Sequence, residues 1–153
     1  MSEISESTIV ENEKRRNVLV LSRHVPKIGQ LSEIRRMNGE NCLITLDNQR
    51  YQGVRDVIER FDNGGYDDLA IVGPRDVIAD LILSGIKPIH LISYKINPAQ
   101  KTTNDYLNPD GTCSRYLAER ACGFRLFYER NFIENDELIE TDDFFDEEIE
   151  QAD

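Results

Sequence analysis

The chain has 153 residues, of which 39% are hydrophobic and 31% charged. This length predicts one domain with one core, and no apolar run approaches the ~20 residues that a membrane-spanning helix needs. The formal net charge of −11 comes from residues 134–153, which hold eleven acids and no Lys or Arg and so leave 18 acids against 18 basic residues in the rest of the chain. The body of the protein is therefore formally neutral, and its composition does not exclude anionic ligands.

The two ends of the chain are predicted to be a disordered leader, residues 1–16, and a disordered acidic tail, residues 134–153. The leader is rich in Ser and Glu and lacks the basic and then apolar order of a secretory signal. The cysteines Cys42, Cys113 and Cys122 form no CxxC pair, which indicates neither a disulfide framework nor a zinc site. These features predict a cytoplasmic protein with reduced thiols.

Residues 17–93 repeat a pattern of strand followed by helix. Strands are predicted over 17–22, 42–46, 69–72 and 89–93, and apolar residues at helical spacing predict helices over 28–37, 54–61 and 77–82. Nearly continuous apolar strands are typical of parallel sheets that are covered on both faces. Three such units leading into a fourth strand predict an α/β, Rossmann-like three-layer sandwich with a mostly parallel sheet of about four to five strands.

The pattern weakens after Tyr94. Asn, Pro and Gly residues predict a loop of roughly 20 residues. Residues 116–121 are then interpreted as a short helix that ends at Gly123, and residues 124–132 as a half-exposed strand at an edge of the sheet. The predicted domain covers residues 17–133.

Each predicted strand places candidate site residues at or just after its carboxyl end. These are Ser22, Arg23 and His24 after the first, Asp47 after the second, Gly73, Pro74 and Arg75 after the third, and Ser93, Tyr94 and Lys95 after the fourth. In an open parallel sheet these ends meet at one edge, where helix N-termini favour anions. Because Arg23, Arg75 and Lys95 would converge there beside His24, we predict a phosphate-binding site at this edge.

Single residues of this set have simpler interpretations. One Arg or Lys at a strand end is often a solvated loop charge, so the prediction rests on their convergence. His24 could cap the first helix, Tyr94 could stack on a base or simply pack, and His90 is interpreted as a core histidine. Cys113 and Cys122 are interpreted as packing residues, because no base is predicted near them.

The motifs that the sequence lacks narrow the chemistry. No GxGxxG, GxxxxGK[ST], GxSxG or HExxH is present, and no His, Cys and Asp residues stand at metal-ligand spacing. An RNA-type substrate needs no tightly held metal, because its own 2′-hydroxyl attacks the adjacent phosphorus when the fold aligns it. We therefore predict no metal and no cofactor.

Several of these residues form a pattern that resembles a known family. They are the run Val20, Leu21, Ser22, Arg23, His24, the step Leu46, Asp47, the pair Asp67, Asp68, the closing Pro74, and Gly85 before the fourth strand. Together they resemble the small single-domain CRISPR-associated ring nucleases, which share the Rossmann-like core of the CARF sensor domains.

The resemblance implies metal-independent cleavage of cyclic oligoadenylate, the second messenger of type III CRISPR defence, by a homodimer. It implies that Ser22, Arg23 and His24 contact the ribose and the scissile phosphate, with His24 as general acid or base. It also implies that Gly73 and Pro74 shape the floor of the site. Arg75 and Lys95 are assigned by position only.

Other functions stay open at this point. The protein could bind a nucleotide or a cyclic oligonucleotide without cutting it, as a sensor or a sequestering protein. The acidic tail could instead be the active part, occupying a basic partner surface. A phosphotransfer or nucleotide-hydrolysing enzyme with a bound metal is the third alternative. No membrane and no long nucleic acid is expected as a partner.

Overall fold

The computed structural model describes residues 15–133. The strands are β1 (Asn17–Leu21), β2 (Leu43–Asp47), β3 (Asp68–Ile71), β4 (Ile89–Ile96), β5 (Tyr106–Leu107) and β6 (Cys113–Arg120). The helices are α1 (Ile28–Asn38), α2 (Val54–Asn63), α3 (Arg75–Leu83) and α4 (Phe124–Tyr128), with a 3₁₀ turn at Pro98–Gln100 and a π-helical turn at Glu129–Ile133.

The six strands form one mixed sheet in the order β2-β1-β3-β4-β6-β5. The first four strands of this order are parallel, whereas β6 runs antiparallel to β4 over eight residue pairs and β5 is antiparallel to β6. The predicted α/β class and the four parallel strands are confirmed. The sheet is larger than predicted, because an antiparallel pair extends it beyond β4.

Helices cover both faces of the sheet, as the apolar residues of β1 show. Leu19 and Leu21 pack with Val57 of α2 and with residues of α3 and α4. Val18 and Val20 face the other way and pack with Ile34 of α1. These four side chains are at most 2% exposed, which is the burial expected of a parallel strand between two helical layers.

Two predicted elements after Tyr94 are wrong. Residues 116–121, predicted to be a helix, belong to strand β6, and residues 124–132, predicted to be a strand, form α4 and the π-helical turn. Leu117, Ala118 and Glu119 favour a helix locally, but pairing along the whole length of β4 outweighs that preference. The segment after Gly123 is short, and its aromatic residues fit either period.

The predicted 20-residue loop is also shorter than expected. Strand β4 continues to Ile96, and the chain from there to β6 contains the 3₁₀ turn and β5. The acidic tail and all of the predicted leader except Arg15 and Arg16 lie outside the described residues. Within residues 15–133, no helix is long and apolar enough to cross a membrane.

An ion pair between the buried Asp68 and the exposed Arg120 closes the amino-terminal edge of the sheet. Asp68 of β3 is 6% exposed and accepts hydrogen bonds from two nitrogens of Arg120 at 2.7 and 2.6 Å and from Asn38 at 2.9 Å. Burial alone would raise the pKa of Asp68, but these hydrogen bonds outweigh burial and hold the pKa below its usual value. Asp68 therefore joins β3, β6 and α1 at the edge opposite the predicted site.

Candidate functional site

The candidate site lies where the direction of the chain across the sheet reverses. From β1 the chain passes through α1 to β2 on one side of β1, and from β2 it passes through α2 to β3 on the other side. The carboxyl ends of β1 and β3 therefore lie side by side, and the loops that follow them lead to α1 and α3. Ligands of open α/β sheets bind in the crevice that such a reversal leaves.

A cavity of about 90 Å³ opens at this position. Its polar lining comes from the β1–α1 loop (Ser22, His24), the start of α1 (Lys27, Gln30) and the adjacent strands β4 and β6 (Ser93, Tyr116). Its apolar lining includes Pro26, Val72 and Leu91. The cavity has room for a few water molecules or one phosphate-sized group.

Ser93 supplies the most unusual feature of this cavity. Its side chain is 3% exposed, and within residues 15–133 its hydroxyl oxygen has no hydrogen-bond partner. Side chains alternate between faces along a strand, so Ser93 faces the same side as Leu91, toward α1. Buried polar groups in proteins are nearly always satisfied, which makes this hydroxyl a candidate for a bond to a ligand.

The amino-terminal end of α1 is held over the cavity by Gln30. The side-chain oxygen of Gln30 accepts a hydrogen bond from the backbone N–H of Lys27 at 3.0 Å. Its amide nitrogen donates to the carbonyl oxygens of Leu117 at 3.0 Å and Ile92 at 3.4 Å. Since the first N–H groups of a helix attract anions, this arrangement presents a positively polarised helix end to the cavity.

Ser22 and His24 stand together at the rim. The Ser22 hydroxyl donates a 2.7 Å hydrogen bond to the backbone carbonyl of His24, which closes the loop after β1 into a turn. His24 and Arg23 are exposed. Ser22 and His24 therefore border the cavity, and their rim is open to solvent.

None of the three predicted cations, Arg23, Arg75 and Lys95, lines this cavity, and Arg75 is engaged elsewhere. It is 5% exposed, donates to the backbone carbonyl of Asn131, and lies 5.4 Å from the ring centre of Phe132. Its guanidinium thus holds the segment after α4 against the start of α3. The prediction that Arg23, Arg75 and Lys95 converge at one edge of the sheet is wrong for Arg75, because the carbonyl of Asn131 and the ring of Phe132 engage its charge.

Tyr94 and Lys95 end up on different faces of β4. Tyr94 directly follows Ser93 in β4 and therefore lies on the opposite face, where it is paired across the ladder with Arg115. Asp105 has the largest effect in raising the pKa of Arg115, and Tyr94 adds to it. Lys95 is exposed and follows Ser93 by two residues, on the same face and about 7 Å farther along. Lys95 is therefore within reach of a ligand that extends out of the cavity.

Gly73 and Pro74 shape the neighbouring backbone. A Cβ at Gly73 would overlap the phenolic oxygen of Tyr51, which donates a 3.1 Å hydrogen bond to the carbonyl of Val72. Pro74 precedes the first residue of α3 with an extended backbone, φ −66° and ψ 157°. Burial raises the pKa of Tyr51, so Tyr51 is a neutral hydroxyl that covers the end of β3.

His90 and Asp47 have structural partners. Burial lowers the pKa of His90 to about 4, with Arg75 acting in the same direction and a hydrogen bond with the Gly73 backbone opposing both. His90 is thus a neutral core histidine, as predicted. Asp47 accepts from the backbone N–H of Gln49 at 3.0 Å and pairs with Arg60 at 3.3 Å.

Sequence reasoning missed three polar residues that line the cavity, which are Lys27, Gln30 and Tyr116. Lys27 and Gln30 had a local signal, because they stand just before and within the first turn of a predicted helix that follows a strand end. Tyr116 had none, since its segment was predicted to be a helix. Only its pairing with Ser93 across β4 and β6 brings it to the site.

Comparison of the chain with protein-family models, curated proteins and solved structures finds no match. The resemblance drawn from the sequence pattern therefore stays a prediction. Among residues 15–133, no three His, Cys, Asp or Glu side chains are grouped so that they could hold a metal ion.

Proposed function

We propose that this protein binds a phosphate group of a cyclic oligoadenylate in the cavity at the carboxyl ends of β1, β3 and β4, and that it cleaves this ring without a metal. The observation that carries the binding proposal is the Ser93 hydroxyl, which is buried in the cavity without a partner among the described residues. Beside it are the start of α1 and Lys27. A phosphate oxygen placed there would accept from Ser93 and from the helix.

The position of the cavity in the fold supports the proposal. A parallel β2-β1-β3-β4 core with helices on both faces is consistent with a Rossmann-like domain, in which ligands bind where the strand order reverses. The cavity accommodates one phosphate. The rest of a cyclic oligonucleotide would lie on the exposed rim around Arg23, His24 and Lys95, and a second copy of the chain would contribute a matching rim in the homodimer that we propose.

The proposed cleavage uses His24, which lies at this rim. In the proposed reaction the ribose 2′-oxygen bonds to the adjacent phosphorus while the bond from phosphorus to the 5′-oxygen breaks. The 2′-hydroxyl proton is removed, and the leaving 5′-oxygen gains one, which leaves a 2′,3′-cyclic phosphate and a 5′-hydroxyl. His24 serves as general acid or base, and Arg23 stabilises the charge that develops on the phosphate.

The experiment is incubation of the protein with cyclic tetra-adenylate and with cyclic hexa-adenylate in chelator, followed by chromatography. Replacing His24 or Arg23 by Ala should slow cleavage at least ~30-fold, about 2 kcal/mol of transition-state stabilisation. Both side chains are exposed, so the free energy of unfolding should not change. Arg55→Ala, at an exposed position of α2, is the matched control. Full turnover in both site variants would contradict the assignment.

A second candidate function is binding without cleavage, as a sensor or a sequestering protein. The observation that favours it is the engagement of Arg75 with Asn131 and Phe132, which leaves fewer cations to stabilise a transition state. An intact ring after long incubation, together with measurable binding that Ser93→Ala weakens, would support this function over the nuclease.

A further inference from the structure

A groove of about 1430 Å³ runs between α1 and the β5–β6 side of the sheet. Lys27 and Tyr116 line both this groove and the smaller cavity that holds Ser93. The cavity and the groove therefore meet at these two side chains, which we call the junction. A ligand held in the cavity can extend into the groove only past the junction.

The arginines of the groove are already paired with carboxylates. The pairs are Arg36 with Glu33 at 2.6 Å, Arg115 with Asp105 at 2.8 Å, and Arg120 with Asp68 at 2.6 Å. Hydrogen bonds from Arg115, followed by those from Thr102, hold the pKa of Asp105 well below its usual range, so the carboxylate of this pair stays charged. The groove thus offers hydrogen-bonding groups with little uncompensated charge.

Lys27 differs from these arginines. Among residues 15–133 it has no carboxylate partner, and its ammonium lies 5.0 Å from the ring centre of Tyr106 and 5.2 Å from that of Tyr116. The two rings stand edge to face with centres 5.3 Å apart. Aromatic faces attract a cation without neutralising it. The tyrosines therefore hold the Lys27 charge at the junction and leave it available to an anion.

This charge lies next to the other anion-attracting groups of the site. Lys27 directly precedes α1, and Gln30 fixes the backbone N–H of Lys27. Because the start of α1, Ser93 and Lys27 all line one cavity, a phosphate at its mouth would be within reach of all three. The aromatic and hydrogen-bonding wall of the groove suits an uncharged planar group attached to that phosphate.

The inference rests on the proposed function. The geometry points to Lys27 as the cation that binds the phosphate of the ligand, and to Tyr106 and Tyr116 as the residues that position its ammonium. It also points to the groove as the place where the attached nucleoside binds. The ligand then occupies two connected compartments. The cavity selects the phosphate, and the groove selects the nucleoside.

The test is titration of the ¹⁵N-labelled protein with inorganic phosphate and with cyclic tetra-adenylate at two salt concentrations. Lys27→Met should weaken the binding of both probes about tenfold and reduce the salt dependence of their dissociation constants. The matched control is Lys87→Met, because Lys87 is an exposed lysine outside the groove and the cavity. This control should bind like the wild type.

The positioning role is tested with Tyr106→Leu. It should weaken phosphate binding about threefold in the wild-type background and not at all in the Lys27→Met background, since a residue that acts through Lys27 has no effect without it. Tyr106→Phe, which keeps the ring, should restore wild-type affinity. Equal losses from Tyr106→Leu in both backgrounds would overturn the positioning role.

The groove is tested with Ser32→Trp, which places a large side chain at an exposed position of α1 that lines it. This variant should weaken the binding of cyclic tetra-adenylate at least about fivefold and leave inorganic phosphate unaffected. If the wild type binds neither probe, the proposed function fails and this inference fails with it. If the wild type binds both probes and Lys27→Met binds them equally well, only this inference is overturned.

Discussion

The amide nitrogen of Gln30 lies 3.0 Å from the backbone carbonyl oxygen of Leu117, and this hydrogen bond joins the first turn of α1 to the antiparallel strand β6. The same side chain accepts from the backbone N–H of Lys27. Gln30 is 5% exposed, so neither bond is easily replaced by water. One side chain thus sets both the start of α1 and its distance from β6, the two walls of the cavity.

Replacing Gln30 by Glu tests this link. The carboxylate keeps an acceptor for Lys27 but faces the carbonyl of Leu117 with no amide donor, so we expect a loss of about 2 kcal/mol or more in the free energy of unfolding. Urea unfolding measures it. Gln100→Glu, at an exposed position, should change stability little. A Gln30→Glu variant as stable as this control would show that α1 is positioned by its apolar face alone.

We expect that no side chain fits at position 73 as long as the Tyr51 side chain keeps its position. Since the Cβ of Gly73→Ala would displace the Tyr51 hydroxyl from the carbonyl of Val72, we expect a loss of about 1–3 kcal/mol. Tyr51→Phe alone should cost about 1 kcal/mol. In the Tyr51→Phe background Gly73→Ala should cost less, and a double-mutant cycle by urea unfolding gives the coupling. A coupling energy of zero would contradict this contact.

His90 should make the stability of the protein depend on pH below neutrality. Its pKa in the folded state is about 4, lower than the ~6.5 of an exposed histidine, so the unfolded chain binds the proton first. The contribution is therefore fully present above about pH 6.5 and is lost progressively as the pH falls toward 4, by about 3 kcal/mol in total.

The measurement is urea unfolding across this pH range for the wild type and for His90→Gln. The variant should lose less stability on acidification than the wild type, whatever its stability at neutral pH. The chain has two histidines, and the other, His24, is exposed, so His24→Ala serves as the control variant. Parallel profiles for the wild type and His90→Gln would exclude this role for His90.

Ser93 and Ser114 offer a matched pair of buried serines with opposite expectations. Ser114 is 4% exposed and its hydroxyl accepts a 2.8 Å hydrogen bond from Asn108, so Ser114→Ala should cost about 1 kcal/mol. The Ser93 hydroxyl has no partner within residues 15–133, so Ser93→Ala should leave the unliganded protein equally stable or up to about 1 kcal/mol more stable.

Thermal and urea unfolding of the two variants, combined with titration of cyclic tetra-adenylate, decide this comparison. Ser93→Ala should lower the affinity for the ligand while stability is kept. A loss of stability in Ser93→Ala as large as that in Ser114→Ala would show that the Ser93 hydroxyl is satisfied within the chain, and the site would lose its main support.

The local pattern was sufficient to predict the first part of the fold. From Asn17 to His90 each strand is a short apolar run and each helix has its apolar residues at helical spacing, and all seven elements occur in the structure at nearly the predicted positions. Such elements are predictable because their periodicity, their glycine and proline stops and their burial all indicate the same structure.

The residues that lie together at the carboxyl edge of the sheet could be predicted in part in the same way. Ser22, His24 and Ser93 line one cavity because parallel strands necessarily bring their carboxyl ends together. The order of residues along the chain is enough for that conclusion.

Tertiary contacts account for what the pattern could not show. Residues Cys113–Arg120 adopt a strand because β4 offers eight paired positions, and that pairing carries Tyr116 to the cavity. Arg75 is withdrawn from the edge by Asn131 and Phe132, which lie more than 50 residues later in the chain. Contacts between residues so far apart produce no periodic pattern in the sequence around either residue. Their energies depend on where the folded chain places the two residues and not on the sequence next to them.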